Sequence, residues 1–149
     1  DVMQDGGAPA VRLRRFAGAA LAPSQSMSPA NTILFGGIAG ILALDTLSAA
    51  AARWLKFPYK WSMVGSVAIY VAVGWFTALS SPTAQPAMAA AWVGVAESTL
   101  GWGISWALGP GKPATMKNLK SQIFVGILGG AAIAAAVGWC AGFAARRWG

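Results

Sequence analysis

Four long apolar stretches constrain this chain more than any other feature of its sequence. They lie at about 31–52, 61–80, 87–108 and 122–145, separated by short segments that carry proline, glycine or basic residues. Each approaches the roughly 20 residues that an α-helix needs to cross about 30 Å of hydrocarbon. The sequence therefore predicts an all-α, multi-pass integral membrane protein with four transmembrane helices.

Residue content excludes most other classes of protein. Of the 149 residues 56% are hydrophobic and only 10% are charged, whereas a soluble domain has roughly a quarter of its residues charged. There is no histidine, and Cys140 is the single cysteine, which excludes histidine-ligated cofactors, intrachain disulfides and Ser-His or Cys-His nucleophile pairs. Phosphate-loop and nucleophile-elbow motifs are absent from the sequence. We expect no enzyme activity, no cofactor and no metal site.

The net charge of +7 is carried by short basic clusters between the apolar stretches. Such clusters are typical of contacts with lipid headgroups, so the expected partner is a bilayer and not a nucleic acid. The first and third loops carry six basic residues and the opposite side carries five (Arg53, Lys56, Lys60, Lys112, Lys117 and Lys120 against Arg12, Arg14, Arg15, Arg146 and Arg147). This balance favours loops one and three on the positive side, in either a bacterial or an organellar inner membrane.

The chain divides into an extramembrane segment, residues 1–30, and a transmembrane domain, residues 31–149. Within the first segment, the arginine-rich stretch 9–22 places Leu13, Phe16 and Ala17 on one helical face. This pattern predicts a short interfacial helix. A targeting segment is the alternative, because such segments are also rich in arginine and poor in acids.

An internal repeat relates the two halves of the transmembrane domain. A shift of 52 residues aligns Asp45 with Glu97 and Thr46 with Ser98, and a shift of 64 aligns the AVGW run at 72–75 with the same run at 136–139. Two units separated by an even number of crossings run in the same direction. The sequence thus predicts two duplicated, parallel-related hairpins with a pseudo-twofold axis along the membrane normal.

Two acidic residues, Asp45 and Glu97, lie inside predicted spans, each followed by a hydroxyl residue, Thr46 or Ser98. A carboxylate in the bilayer is costly, so it must face protein, water or a partner. One interpretation is a proton or cation site made by both acids. The other is a pair of neutral, hydrogen-bonded carboxyls that set helix register.

Small residues recur every four positions in three of the spans. In lipid, such rows let two helix backbones approach closely, which supplies packing in place of the hydrophobic effect. These rows either pack the helices of the bundle against one another or form a docking face for another protein or a second copy of the chain. The candidate packing residues are Gly36, Gly40, Gly126, Gly130, Gly138 and Gly142.

Two functions remain open on this basis. The first is a non-catalytic subunit that packs against and stabilises a larger membrane assembly through its small-residue faces. The alternative is a small proton- or cation-coupled transporter or channel that uses Asp45 and Glu97. The surroundings of the two acids discriminate between these functions, because a wet cavity favours transport and a dry hydrogen-bonded pocket favours a structural role. No motif is specific enough to assign a family.

Overall fold

Helices make up nearly all of the computed structural model, which describes residues 27–56, 58, 61–109 and 118–149. They are α1 (Pro29–Leu55), α2 (Ser62–Ser80), α3 (Pro86–Ala96), a π-turn (Glu97–Gly101), α4 (Trp102–Leu108) and α5 (Leu119–Trp148). No strand is present among these residues. The expected interfacial helix at 9–22 and most of the third loop lie outside the described residues.

Sequence signals place the helix ends close to where the apolar stretches predict them. The Ser28 hydroxyl accepts a hydrogen bond from the Asn31 amide at 3.3 Å, and Pro29 occupies the first turn of α1, where its missing N–H does no harm. Pro86 opens α3 in the same way. Helix α1 ends at Lys56, which adopts the left-handed conformation that terminates many helices. The observed ends lie within three residues of the predicted ones.

Helices α1, α2 and α5 are each long and apolar enough to cross a membrane. The stretch predicted as the third span differs, because the π-turn divides it into α-helical pieces of 11 and 7 residues, each too short to span a bilayer alone. The backbone stays helical through the turn, with Ala96 at φ −61° and ψ −43° and Trp102 at φ −63° and ψ −40°. We refer to residues 86–108 as the bulged helix.

The interior of the bundle is small and partly polar, and its outer surface is large and apolar. A buried cluster of Ile41, Tyr70, Val73, Val93 and Ala134 joins α1, α2, α3 and α5. The other buried residues are alanines, glycines and polar residues, while many large apolar side chains are exposed (buried polar: Asp45, Ser48, Ser62, Ser66, Thr77, Ser105; exposed: Phe35, Leu47, Trp92, Leu128, Trp139, Phe143). This distribution is the reverse of that in a soluble domain, where large apolar side chains fill the core.

Candidate functional site

A cavity of about 290 Å³ lies among the helices and contains both acidic residues of the described chain. Helices α1, α2, α4 and α5 and the π-turn contribute to its wall. Asp45 on α1 and Glu97 at the start of the π-turn are brought together there although they are far apart in sequence. Gly101 lies between them, since a Cβ built on it would be 3.0 Å from Asp45 Cγ and 3.6 Å from Glu97 Cγ. The lining residues are Asp45, Met63, Ser66, Val67, Tyr70, Glu97, Ser98, Trp102, Gly130 and Ile133.

Helix α2 supplies the hydrogen-bond partners of Glu97. The Ser66 hydroxyl donates to Glu97 Oε1 at 2.5 Å, and the Tyr70 hydroxyl donates to Oε2. Ser66 and Tyr70 lie four residues apart, which puts them on one face of α2. The Ser66 hydroxyl also lies 3.2 Å from the Ser62 carbonyl oxygen, to which it can donate instead. Because a hydroxyl has a single proton, the geometry fits an ionised Glu97 and also a neutral Glu97 that donates to Ser66, so both sequence-based interpretations stay open.

Asp45 is buried more deeply and is bonded less completely. Its residue is 2% exposed, and its Oδ2 has no hydrogen-bond partner among the described residues. The Ser62 side chain is close enough to hydrogen-bond to the carboxyl. Oδ2 rests against Gly101, so any side chain at position 101 would collide with it. A buried carboxyl oxygen without a protein partner is uncommon.

Among the described residues, the lining of the cavity has two acids and no lysine or arginine. Two of the described arginines form hydrogen bonds away from the cavity, near helix ends. Arg53 Nη1 donates to the Leu108 carbonyl at 3.1 Å, and Arg146 Nη2 donates to the Ala84 carbonyl at 2.6 Å. A buried carboxylate without an opposite charge nearby is strongly unfavourable. The cavity is therefore suited to a cation that comes from outside the chain.

The π-turn determines which aromatic side chain faces the acids. The Trp102 amide donates to the Glu97 carbonyl, five residues earlier, so these two residues stack on one side of the helix. In a regular α-helix, residues five apart would point about 140° away from each other. The Trp102 ring packs on Trp106 at a centroid separation of 5.1 Å. The turn thus puts Glu97 and Trp102 in the same cavity.

Of the two hydroxyl residues predicted to accompany the acids, only Ser98 lines the cavity. Thr46 is exposed, and its hydroxyl donates to the Leu42 carbonyl of its own helix at 2.7 Å, so it does not belong to the site. Sequence reasoning missed Ser66, Tyr70 and Trp102. The polar residues at 62, 66 and 70, spaced by four in an apolar span, were an available signal for the first two.

The small residues of α5 face a matching row on the bulged helix. A Cβ on Gly138 would lie 2.9 Å from the Pro86 carbonyl oxygen, and one on Gly142 would lie 2.6 Å from Pro86 Cβ. Further along, a Cβ on Gly130 would collide with the Ser98 hydroxyl. These three glycines lie where α5 packs against other helices.

The other predicted packing residues are placed differently. Within the described part of the chain, a Cβ on Gly36 or Gly126 would meet no atom within 4 Å, and one on Gly40 would make only an ordinary contact at 3.8 Å with Ile69. Contacts within the described residues therefore do not account for Gly36 and Gly126, and their role in packing stays a prediction.

No cluster of three or more histidine, cysteine, aspartate or glutamate side chains suited to a metal occurs in the described ranges. No protein-family model, no curated protein and no solved structure compared with the chain matches it.

Proposed function

We propose that this chain is a small membrane transport protein that exchanges protons for a cation at the cavity of Asp45 and Glu97. One observation carries the proposal: two acids lie in one cavity of about 290 Å³ that no basic side chain of the described ranges lines. When a cation enters, a carboxyl group loses its proton to water and the carboxylate takes the cation as its counter-charge. When the cation leaves, the carboxyl group takes up a proton again, because an unpaired charge is unfavourable there.

The distribution of side chains supports a place in the bilayer. Large apolar side chains cover the outside of the helices, and serines and Asp45 are buried inside. We propose that the bulged helix forms a fourth span beside α1, α2 and α5. Its 23 helical residues are enough to cross about 30 Å at 1.5 Å per residue.

We further propose that the two hairpins are duplicated, with a pseudo-twofold axis through the bundle. Two pairs of residues that the repeat makes equivalent meet in space. A Cβ on Gly74 would lie 2.7 Å from Gly138 Cα, and Asp45 and Glu97 both approach Gly101. The arrangement is imperfect, because α2 contacts α3 while the equivalent pair α1 and α5 has no contact among the described residues. Cysteines placed at Ser81 and Lys112 should label from opposite sides of the membrane, and labelling from one side would contradict four spans.

Proton movement in liposomes tests the exchange function. The purified protein is reconstituted with a trapped pH dye, and Na⁺, K⁺ or choline is added outside in turn. The wild type should carry protons out of the lumen, so that the lumen becomes more alkaline, as at least one of these cations enters. The double variant Asp45→Asn with Glu97→Gln keeps the shape of both side chains, and it should abolish the movement. Equal movement in both proteins, or none in the wild type, would overturn the proposal.

A pair of glycine variants gives a matched control for the same assay. Gly101→Ala should displace the Asp45 carboxyl and reduce exchange at least 10-fold, because the new methyl group would occupy the position of Oδ2. Gly103→Ala lies two residues further along the same helix, and its Cβ meets no described atom within 4 Å. This second variant should exchange protons like the wild type.

An accessory role in a larger assembly is the second candidate, and the open glycines favour it. A Cβ built on Gly126 or Gly129 of α5 would meet no atom within 4 Å in the described chain. In membrane proteins, such small residues are typical of faces on which another helix packs closely. Cys140 is exposed and lies three turns beyond Gly129, on the same face. If this face docks a second copy, Cys140 should cross-link under mild oxidation, and Gly129→Leu should prevent the cross-link. Monomeric wild type in mild detergent would count against self-assembly.

A further inference from the structure

We propose that the cation is an alkylated ammonium ion, held between the carboxyl groups of Asp45 and Glu97 and the ring of Trp102. This inference rests on the proposed function and names the substrate class of the same site. It follows from the size of the cavity, its walls, and the placement of its charges.

The cavity is too large for a bare inorganic ion. Its volume of about 290 Å³ corresponds to about ten water molecules at roughly 30 Å³ each. A hard cation such as Ca²⁺ needs six to eight oxygens at about 2.3–2.6 Å around one point. Five oxygen-bearing side chains line this wall (Asp45, Ser66, Tyr70, Glu97 and Ser98), and two of their hydroxyls are already bonded to Glu97. A small organic ligand fills such a space better.

The remaining walls are apolar, so the ligand must present apolar surface as well as charge. Met63 and Val67 on α2 and Ile133 on α5 line the cavity together with its polar residues. Met63 is 65% exposed and Ile133 is 51% exposed, which indicates that the cavity opens on the side where these two residues lie. Alkyl groups on an ammonium ion would contact these side chains, whereas a hydrated alkali ion would leave them against water.

Trp102 supplies the surface that an alkylated ammonium ion prefers. The face of an indole ring attracts such ions, and this attraction is strongest away from water. The packing of Trp106 against Trp102 limits how the Trp102 ring can turn. The π-turn brings this ring to the same side of the helix as Glu97. Charge and aromatic surface therefore lie together because of the turn.

The two acids have different roles in this arrangement. Both oxygens of Glu97 accept hydrogen bonds from α2, so its carboxylate is held in one orientation before the ligand arrives. Asp45 is 2% exposed and has an oxygen without a partner among the described residues. The positive charge of the ligand would provide the counter-charge that Asp45 lacks.

Calorimetry with the full chain in detergent tests the substrate class. Choline is compared with 3,3-dimethylbutanol, which has the same shape without the charge, and with K⁺ and Na⁺ at equal concentration. Choline should bind, and the neutral compound and both alkali ions should bind at least 10-fold more weakly. Trp102→Leu should weaken choline binding about 10- to 30-fold, the effect of losing a desolvated cation–π contact. Trp102→Phe should lose less, and it also keeps the test valid if the leucine variant fails to fold.

Trp92→Leu is the matched control, because Trp92 is an exposed tryptophan of the bulged helix that does not line the cavity. It should bind choline like the wild type. If K⁺ or Na⁺ drives proton exchange that needs both acids but is unchanged in Trp102→Leu, the substrate class is wrong and the exchange function stands. If choline and 3,3-dimethylbutanol bind equally, the site recognises the shape of the ligand and not its charge, and the proposed substrate class is wrong. If no cation moves protons, the exchange function itself fails.

Discussion

Two regions of α5 differ in what their glycines contact. Near its C-terminal end, Gly138 lies against backbone atoms of Pro86 and Gly74. Near its middle, Gly130 faces Gly94 and also lies against the hydroxyl of Ser98, at the wall of the cavity. The same spacing of small residues thus gives backbone contact near the C-terminal end and a polar cavity wall near the middle.

This difference teaches that the small-residue row does not determine packing alone. Helices approach closely where both rows are small, as at Ala90 and Gly138. They make room for a cavity where the facing helix carries Glu97 and Ser98 and where the π-turn changes which residues point inward. Three predictions, ordered from the largest effect to the smallest, test this contrast.

Replacing Gly138 with leucine should have the largest effect on stability. Its Cβ would collide with Ala90 Cβ and lie 2.9 Å from the Pro86 carbonyl oxygen, and backbone atoms cannot rotate away. We expect a loss of about 3 kcal/mol in the free energy of unfolding, the upper end for overpacked cores. Thermal unfolding in detergent measures it. Gly126→Leu on the same helix, where no described atom is close, should unfold like the wild type, and equal losses would contradict the contrast between open and packed glycines.

Removing the carboxyl group of Glu97 should have an intermediate effect. Glu97→Ala leaves the Tyr70 hydroxyl without its acceptor, while the Ser66 hydroxyl keeps the Ser62 carbonyl, and the change should cost about 1–3 kcal/mol. Glu97→Gln keeps an acceptor oxygen and should lose less than half as much. The comparison uses the same unfolding assay. A glutamine variant as unstable as the alanine variant would show that charge, and not the hydrogen bonds, stabilises this region.

Replacing Gly130 with alanine should have the smallest effect. The new methyl group meets the Ser98 hydroxyl, which can rotate to another staggered position, so the loss should be within about 0.5 kcal/mol. Gly138→Ala provides the comparison, because its methyl group meets a carbonyl oxygen. If both alanine variants lose the same free energy of unfolding, then the cavity wall at Ser98 is as rigid as the contact between Gly138 and the Pro86 backbone, which contradicts the contrast between the two regions.

The sequence predicted the helices and the acids well, and it predicted their surroundings poorly. The apolar stretches located the outer ends of the helices within a few residues, since length and composition decide what can span a membrane, but they did not predict the π-turn that divides the third stretch. The pattern of acid and hydroxyl wrongly paired Thr46 with Asp45, because adjacent residues on a helix point about 100° apart. The partners of Glu97 came from α2, and no local pattern reports how α2 turns against the bulged helix.

By itself, the sequence determined that the chain is helical and apolar, that its acids lie within apolar stretches, and that histidine chemistry is excluded. Only the tertiary structure decided that Asp45 and Glu97 share a cavity, that Trp102 joins them, and that Gly36 and Gly126 remain open. The physical reason is that composition and periodicity act within one helix. The rotation and separation of neighbouring helices depend on contacts between residues distant in sequence, such as Gly74 with Gly138.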